Sequence, residues 1–144
     1  MPPEVAATPP RPRTDLPTIE GDSKPFWDAM RENHTFSVVE CHACGHIHHY
    51  PRPFCPVCWS DDVSWIAASG RATLYTYSTV YLNDLEPFAS ELPYVAAVVE
   101  LEEGPRVMTT LVNVATDQLA IGMALTLVAK ELTPDVTVPV FTAA

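Results

Sequence analysis

The chain has 144 residues, 47% of them hydrophobic, and a formal net charge of −10 at pH 7. That length fits one domain, or one domain with a small appendage, and the apolar fraction suffices for a core. With 18 acidic residues against eight Lys and Arg, the surface repels phosphate backbones, which argues against nucleic acid as a partner while leaving room for a local basic patch. No apolar run reaches the roughly 18 to 20 residues of a membrane span, so no membrane association is expected. The opening MPPEVAATPPRPR lacks the apolar core of a signal peptide. The expected location is the cytoplasm. The four cysteines agree with it, because closely paired cysteines in a reducing compartment hold metal more often than they form disulfides.

Residues 1–22 hold six of the 15 prolines. Proline fixes φ and removes a donor, so a disordered or extended leader is expected there. A short helix is predicted over 23–35, with Ser23 as N-cap and Pro25 in the first turn. Phe26, Trp27 and Met30 share one face of it. Such a helix is too short to stand alone and must dock on the domain behind it or on another chain. Residues 36–66 read as a zinc ribbon entered by a strand from Phe36 to Glu40. Trp65 is followed by the turn signal Ser69-Gly70.

From there to residue 144 the pattern is all strand. Strands are predicted over Arg71 to Tyr81, Tyr94 to Leu101, Arg106 to Val114, Ala124 to Leu132 and Val136 to Phe141, with Glu103-Gly104-Pro105 and Pro134-Asp135 as turns. Thr116 to Leu119 reads as one helical turn. Five strands with a short element between the third and fourth is the order of an OB-fold barrel. The expected fold class is therefore mainly β, with an N-terminal helix, a rubredoxin-like zinc ribbon and a C-terminal five-stranded barrel.

The strongest chemical signal is Cys41-x-x-Cys44-Gly45 and Cys55-Pro-x-Cys58, with ten residues between Cys44 and Cys55. Two such knuckles aim four thiolates at one ion at about 2.3 Å. Gly45 suits the positive φ that the turn after a knuckle often requires. Zinc is the expected metal and iron the alternative, since four thiolates suit both. Four cysteines complete a tetrahedron and leave no open position for water, so the site reads as structural rather than catalytic. His42, His46, His48 and His49 crowd the same segment and read as polar surface. His34 is assigned no role.

Tyr75, Tyr77 and Tyr81 alternate along one predicted strand face. Exposed aromatics on such a barrel can stack bases, but the acidic charge favours packing or a protein interface. The segment 82–92 carries Asp84, Glu86 and Glu91 and reads as a solvated loop, with Leu85 and Phe88 as apolar anchors for a contact. No phosphate loop or nucleophile elbow occurs. No catalytic residue is expected in this chain.

Together, the Phe26-Trp27 helix, the CxxCG and CPxC knuckles, Pro51-Arg52-Pro53 between them, Trp65 before Ser69-Gly70, and Pro93-Tyr94 resemble the family known as domain of unknown function 35. That family joins a rubredoxin-like zinc ribbon to an OB fold and is associated with acyl-CoA metabolism. The resemblance spans about residues 23–141. It implies a small accessory subunit paired with a thiolase-like enzyme, such as a steroid side-chain aldolase or an acetyltransferase, in a hetero-oligomer. It also implies that the partner supplies the catalytic groups, while this chain helps form or gate the acyl-CoA site. The metal role carries over to Cys41, Cys44, Cys55 and Cys58.

The expected function is thus a non-catalytic partner of an aldolase or thiolase acting on an acyl-CoA in steroid or lipid breakdown. Phe26, Trp27, Met30, Leu85 and Phe88 are the expected contact residues. An alternative from another class is a zinc-ribbon module that binds single-stranded nucleic acid. A third, an autonomous CoA carrier, conflicts with the lack of a phosphate loop or of clustered Lys and Arg.

Overall fold

A computed structural model describes residues 11–144; residues 1–10, the first part of the expected leader, lie outside the described residues. Residues 11–20 are extended but not free. Thr14 donates its backbone N–H and its hydroxyl to the Glu86 carbonyl, and Arg11 donates to the Asp84 carbonyl. Arg13 reaches the Leu132 carbonyl. Proline keeps this stretch out of regular structure, yet its remaining donors pin it across the 82–92 loop. Residues 11–20 thus form a strap docked on the barrel side of the molecule.

A single 3-10 turn, Gly21–Ser23, leads into α1, Lys24–Asn33. Ser23 does not cap the helix: its backbone is already helical, and its hydroxyl donates to the Glu20 carbonyl. Pro25 occupies the first turn, where its missing N–H costs nothing. His34 ends the helix in the left-handed region at φ 53°, and Thr35 N–H closes back on the Ala29 carbonyl. The buried face of α1 is Phe26 and Met30. It packs on β1, Ser37–Cys41, and on β8, Val136–Ala143.

Strand β1 is the centre of a three-stranded antiparallel sheet, flanked by β2, Ile47–His48, and β3, Val63–Ala67. Val39 opposes His48 on one side and Trp65 on the other. The second unit is a closed barrel. Its remaining strands are β4, Arg71–Val80; β5, Tyr94–Leu101; β6, Arg106–Leu111; and β7, Ala124–Thr133. The order is β4-β5-β6-β8-β7, with β7 returning to β4 through Ala72 opposite Leu125. One parallel contact, Leu111 opposite Phe141, joins β6 to β8. A 3-10 turn, Thr116–Gln118, links β6 to β7, where the sequence predicts a helical turn. This is the five-stranded OB arrangement. The segment after β4, expected to be a solvated loop, contains a further short helix, α2, Phe88–Glu91.

Strict alternation makes the core. Val95, Ala97, Val99 and Leu101 of β5 face inward, as do Ala72 and Leu74 of β4. With Val107, Leu125 and Phe141 they form one cluster that also takes in Phe26, Met30, Phe36 and Val38. Helix, ribbon edge and barrel therefore share a single core. Each fully buried side chain of this kind is worth about 1.5–3 kcal/mol.

The predicted tyrosine stripe does not survive. The register of β4 against β5 slips between Leu74 and Thr76, so Tyr75 is the extra residue of a bulge. Tyr75 points outward beneath the Arg106 guanidinium, 3.9 Å from its ring centre, while Tyr77 packs on the core. Among the described residues, no helix is long and apolar enough to cross a membrane.

Candidate metal centre

The four cysteines converge where the two knuckles face each other beyond the end of β1. Their sulfur atoms all lie within 4.8 Å of one another, with Cys41 Sγ to Cys58 Sγ and Cys44 Sγ to Cys55 Sγ both at 3.6 Å. Four sulfurs about 2.3 Å from a tetrahedral zinc stand about 3.8 Å apart, so the cluster already has nearly that size. No disulfide joins them. Cys41 and Cys55 are buried, whereas Cys44 and Cys58 are exposed.

The two knuckles are built alike. Gly45 N–H donates to the Cys41 carbonyl and Trp59 N–H to the Cys55 carbonyl, each at 2.9 Å. Both donors have positive φ, 79° at Gly45 and 66° at Trp59. Val57 N–H donates to Cys55 Sγ. Backbone bonds from Cys41 to His46, His42 to Asp62 and Cys55 to Ser60 tie the knuckles to the strand ends.

The thiols respond strongly to this crowding. At Cys44 the His46 N–H lowers the pKa, but burial and the sulfurs of Cys58, Cys55 and Cys41 outweigh it and push the thiol to about 12. At Cys55 burial acts upward, yet the N–H groups of Cys58 and Val57 and the neighbouring sulfurs bring it down to about 7. Four thiolates this close repel one another unless a cation sits between them, and a divalent ion displaces their protons. The donor set, spacing and closed coordination fit a structural zinc, held by Cys41, Cys44, Cys55 and Cys58.

The histidines divide. His42 Nε2 lies 2.7 Å from Ser64 Oγ, which holds it on the ribbon surface. His46 and His48 stack at 6.1 Å. His48 and His49 depart from the surface expectation: His48 is 8% exposed, and His49 packs against Phe26 and Phe36 and touches Tyr50. Burial, with His48 adding to it, pushes His49 down to about 4 and keeps it neutral.

The expected contact residues also divide. Phe26 and Met30 are 5% and 0% exposed and belong to the core, so their surface is taken up within this chain. Trp27 is partly buried beside them. Leu85 is exposed, and Phe88 is half-buried against Tyr94 at 5.7 Å. Sequence reasoning missed other exposed apolar groups: Trp59, stacked on Phe54, and Tyr50, Val57 and Met108. Met108 lies on the outward face of β6, whereas Trp59, Tyr50 and Val57 lie in loops with no periodic pattern. A Trp where the first knuckle has Gly was the one available signal.

Comparison with known proteins gives the same two units. The chain matches the family models described as "ChsH2, rubredoxin-like zinc ribbon domain" over residues 27–64 and "ChsH2, C-terminal OB-fold domain" over residues 65–130. It is 38% identical over 131 residues to a "Probable enoyl-CoA hydratase alpha subunit" of Thermomonospora curvata, covering 91% of this chain but 39% of that relative's length. It is 32% identical to a "DUF35 domain-containing scaffold protein" of Methanocaldococcus jannaschii, covering 76% of this chain and 77% of the relative. It is 31% identical over 71 residues to "Benzoylsuccinyl-CoA thiolase subunit BbsA" of Geobacter metallireducens, covering 49% of this chain and 46% of the relative. Among solved structures it resembles a chain of an "Ltp2-ChsH2(DUF35) aldolase", with a TM-score of 0.79 and 36% identity over 89% of this chain and 98% of that one.

Proposed function

Since the chain belongs to the DUF35 family of zinc-ribbon and OB-fold proteins, we propose that it is a non-catalytic subunit that docks on a thiolase-superfamily enzyme. The partner, an aldolase or a thiolase, acts on an acyl-CoA in steroid or lipid side-chain degradation, and the two form a hetero-oligomer. The observation that carries this reading is the likeness to the chain from the Ltp2-ChsH2(DUF35) aldolase, 98% of which this chain covers. The chemistry agrees. The four thiols form the one metal-binding group found among the described residues, and a filled tetrahedron offers no site for substrate. The ribbon over 36–66 and the barrel over 67–144 act as a scaffold, and the thiol cluster suits the reducing cytoplasm.

Contact falls to residues whose apolar surface is still open. Trp27, Leu85 and Phe88 remain candidates, with Leu85 56% exposed. Exposed aromatic and aliphatic anchors of this type often dominate interfaces. The test is co-expression with a thiolase-superfamily aldolase or thiolase from the same organism, followed by size-exclusion chromatography and acyl-CoA turnover with and without this chain. Co-elution with turnover that depends on this chain is the expected result, and Leu85→Asp should weaken it. Separate elution with unchanged turnover refutes the reading. Salt-dependent binding of single-stranded oligonucleotides would move the function to the alternative class.

A further inference from the structure

The sequence shows no cluster of Lys and Arg, but the fold assembles one. Arg52, between the knuckles, and Arg106, at the start of β6, line one surface cavity of about 290 Å³ together with His46, His48 and His49. The rest of the wall is apolar or aromatic and contains no carboxylate. In a chain of net charge −10 this is an unusual concentration of cationic and donor groups.

Arg52 stands apart from the other cations. Among the described residues, Arg13, Lys24, Arg31, Arg71, Arg106 and Lys130 each reach a carboxylate. Arg11 donates to a carbonyl. Arg52 makes neither an ion pair nor a hydrogen bond with any of them. Asp22 borders the neighbouring cavity that Arg52 also lines, yet the two form no ion pair. Pro51 and Pro53 flank Arg52 and stiffen the backbone that presents it.

His48 and His49 form the inner wall of the cavity. His48 is 8% exposed, and neither of its ring nitrogens has a partner. Nδ1 of His49 is also unpartnered. These nitrogens have almost no accessible surface, so the imidazoles back the cavity and the two guanidinium groups are the donors that open onto it. Arg106 is already oriented. Its Nε donates to Glu100 at 3.0 Å and its guanidinium lies over Tyr75, while its terminal amino groups carry no hydrogen bond.

We propose that this cavity is an anion site for a phosphomonoester, bound by Arg52 and Arg106. A phosphomonoester carries nearly two charges and three acceptor oxygens, which suits two guanidinium forks better than a single carboxylate does. The 3′-phosphate of coenzyme A and free inorganic phosphate offer the same chemistry. With coenzyme A as the source, the inference rests on the acyl-CoA reading above and deepens it.

The test uses the zinc-loaded full chain and follows imidazole and guanidinium nitrogens by NMR. The chain is titrated at constant ionic strength with inorganic phosphate, coenzyme A and dephospho-coenzyme A, which lacks the 3′-phosphate. The expected result is saturable shifts at His48 and Arg52 with phosphate and coenzyme A, and at least about tenfold weaker binding of dephospho-coenzyme A. Arg52→Gln should weaken phosphate and coenzyme A at least about tenfold, whereas Arg71→Gln, at a surface cation outside this cavity, should change them less than about twofold. Coenzyme A binding far tighter than phosphate assigns the source to the nucleotide, and equal affinities assign it to free phosphate. The proposal is overturned if none of the three gives a saturable shift, if the two Arg variants weaken binding equally, or if dephospho-coenzyme A binds as well as coenzyme A. Co-elution with the enzyme partner does not depend on this outcome, so the two readings fail separately.

Discussion

Gly45→Ala isolates the backbone requirement of the first knuckle. Gly45 has φ 79°, and a Cβ built there meets nothing within 4 Å. The methyl group therefore costs no clash and removes no contact. What remains is the left-handed backbone, which disfavours an L side chain by about 1–2 kcal/mol. The knuckle forms around the metal, so this cost should appear in zinc affinity. It corresponds to roughly five- to thirtyfold weaker binding. Competition against a chromophoric chelator with the full-length protein measures it. Trp59→Gly is the mirror experiment, because Trp59 has φ 66° at the matching place in the second knuckle and stacks on Phe54 at 5.2 Å. Relief of the backbone, about 1–2 kcal/mol, and loss of the ring pair, about 0.5–1.5 kcal/mol, nearly cancel. Affinity should then stay within a few-fold. Gly45→Ala binding zinc as tightly as the parent chain would refute the reasoning.

Met30→Ala removes a side chain with 0% exposure from the seam between α1 and the barrel. It should cost about 2–5 kcal/mol in denaturant unfolding, and a cost under about 1 kcal/mol would mean that α1 is not integral to the core. Zinc removal should unfold the ribbon, because a sheet whose third strand is the two-residue β2 cannot replace a metal contribution on the order of 10 kcal/mol. Hydrogen exchange should then show lost protection at Cys41 and Cys55 with retention at Val99 and Leu125, and equal loss at all four would make ribbon and barrel one folding unit. His49, held neutral near 4 by burial, takes up its proton at higher pH in the unfolded chain. Stability should therefore fall as pH drops below about 6.5 and level off below about 4, a trend that His49→Phe should flatten in urea titrations at fixed zinc.

The elements legible in the sequence were those with a local cause. The knuckles follow from cysteine spacing, and the spacing also marks a closed four-thiolate metal site. Tyr94 to Leu101 alternates apolar and outward residues, and that strand has those bounds in the structure. The turns at Gly70 and Gly104 both carry the positive φ that glycine permits. The boundaries that moved did so for equally local reasons. Ser23 was read as a cap, but the 3-10 turn before it had already started the helical backbone.

The rest depended on which surfaces meet. An amphipathic face does not say what covers it: the pattern of Phe26 and Met30 suits contact with another chain equally well, and β8 and β1 of this chain cover them. One extra residue at Tyr75 reverses side-chain parity in a strand, and no spacing rule marks it before β4 pairs with β5. Arg52 and Arg106 are separated by about half the ribbon and half the barrel in sequence, yet barrel closure and the docking of the ribbon set them around one cavity. Covalent spacing determines what a few neighbouring residues do together, and so the sequence by itself determined the metal centre and the strands. Only tertiary packing, which sets register and brings distant segments into contact, decided which faces stay open and where the scarce positive charge collects.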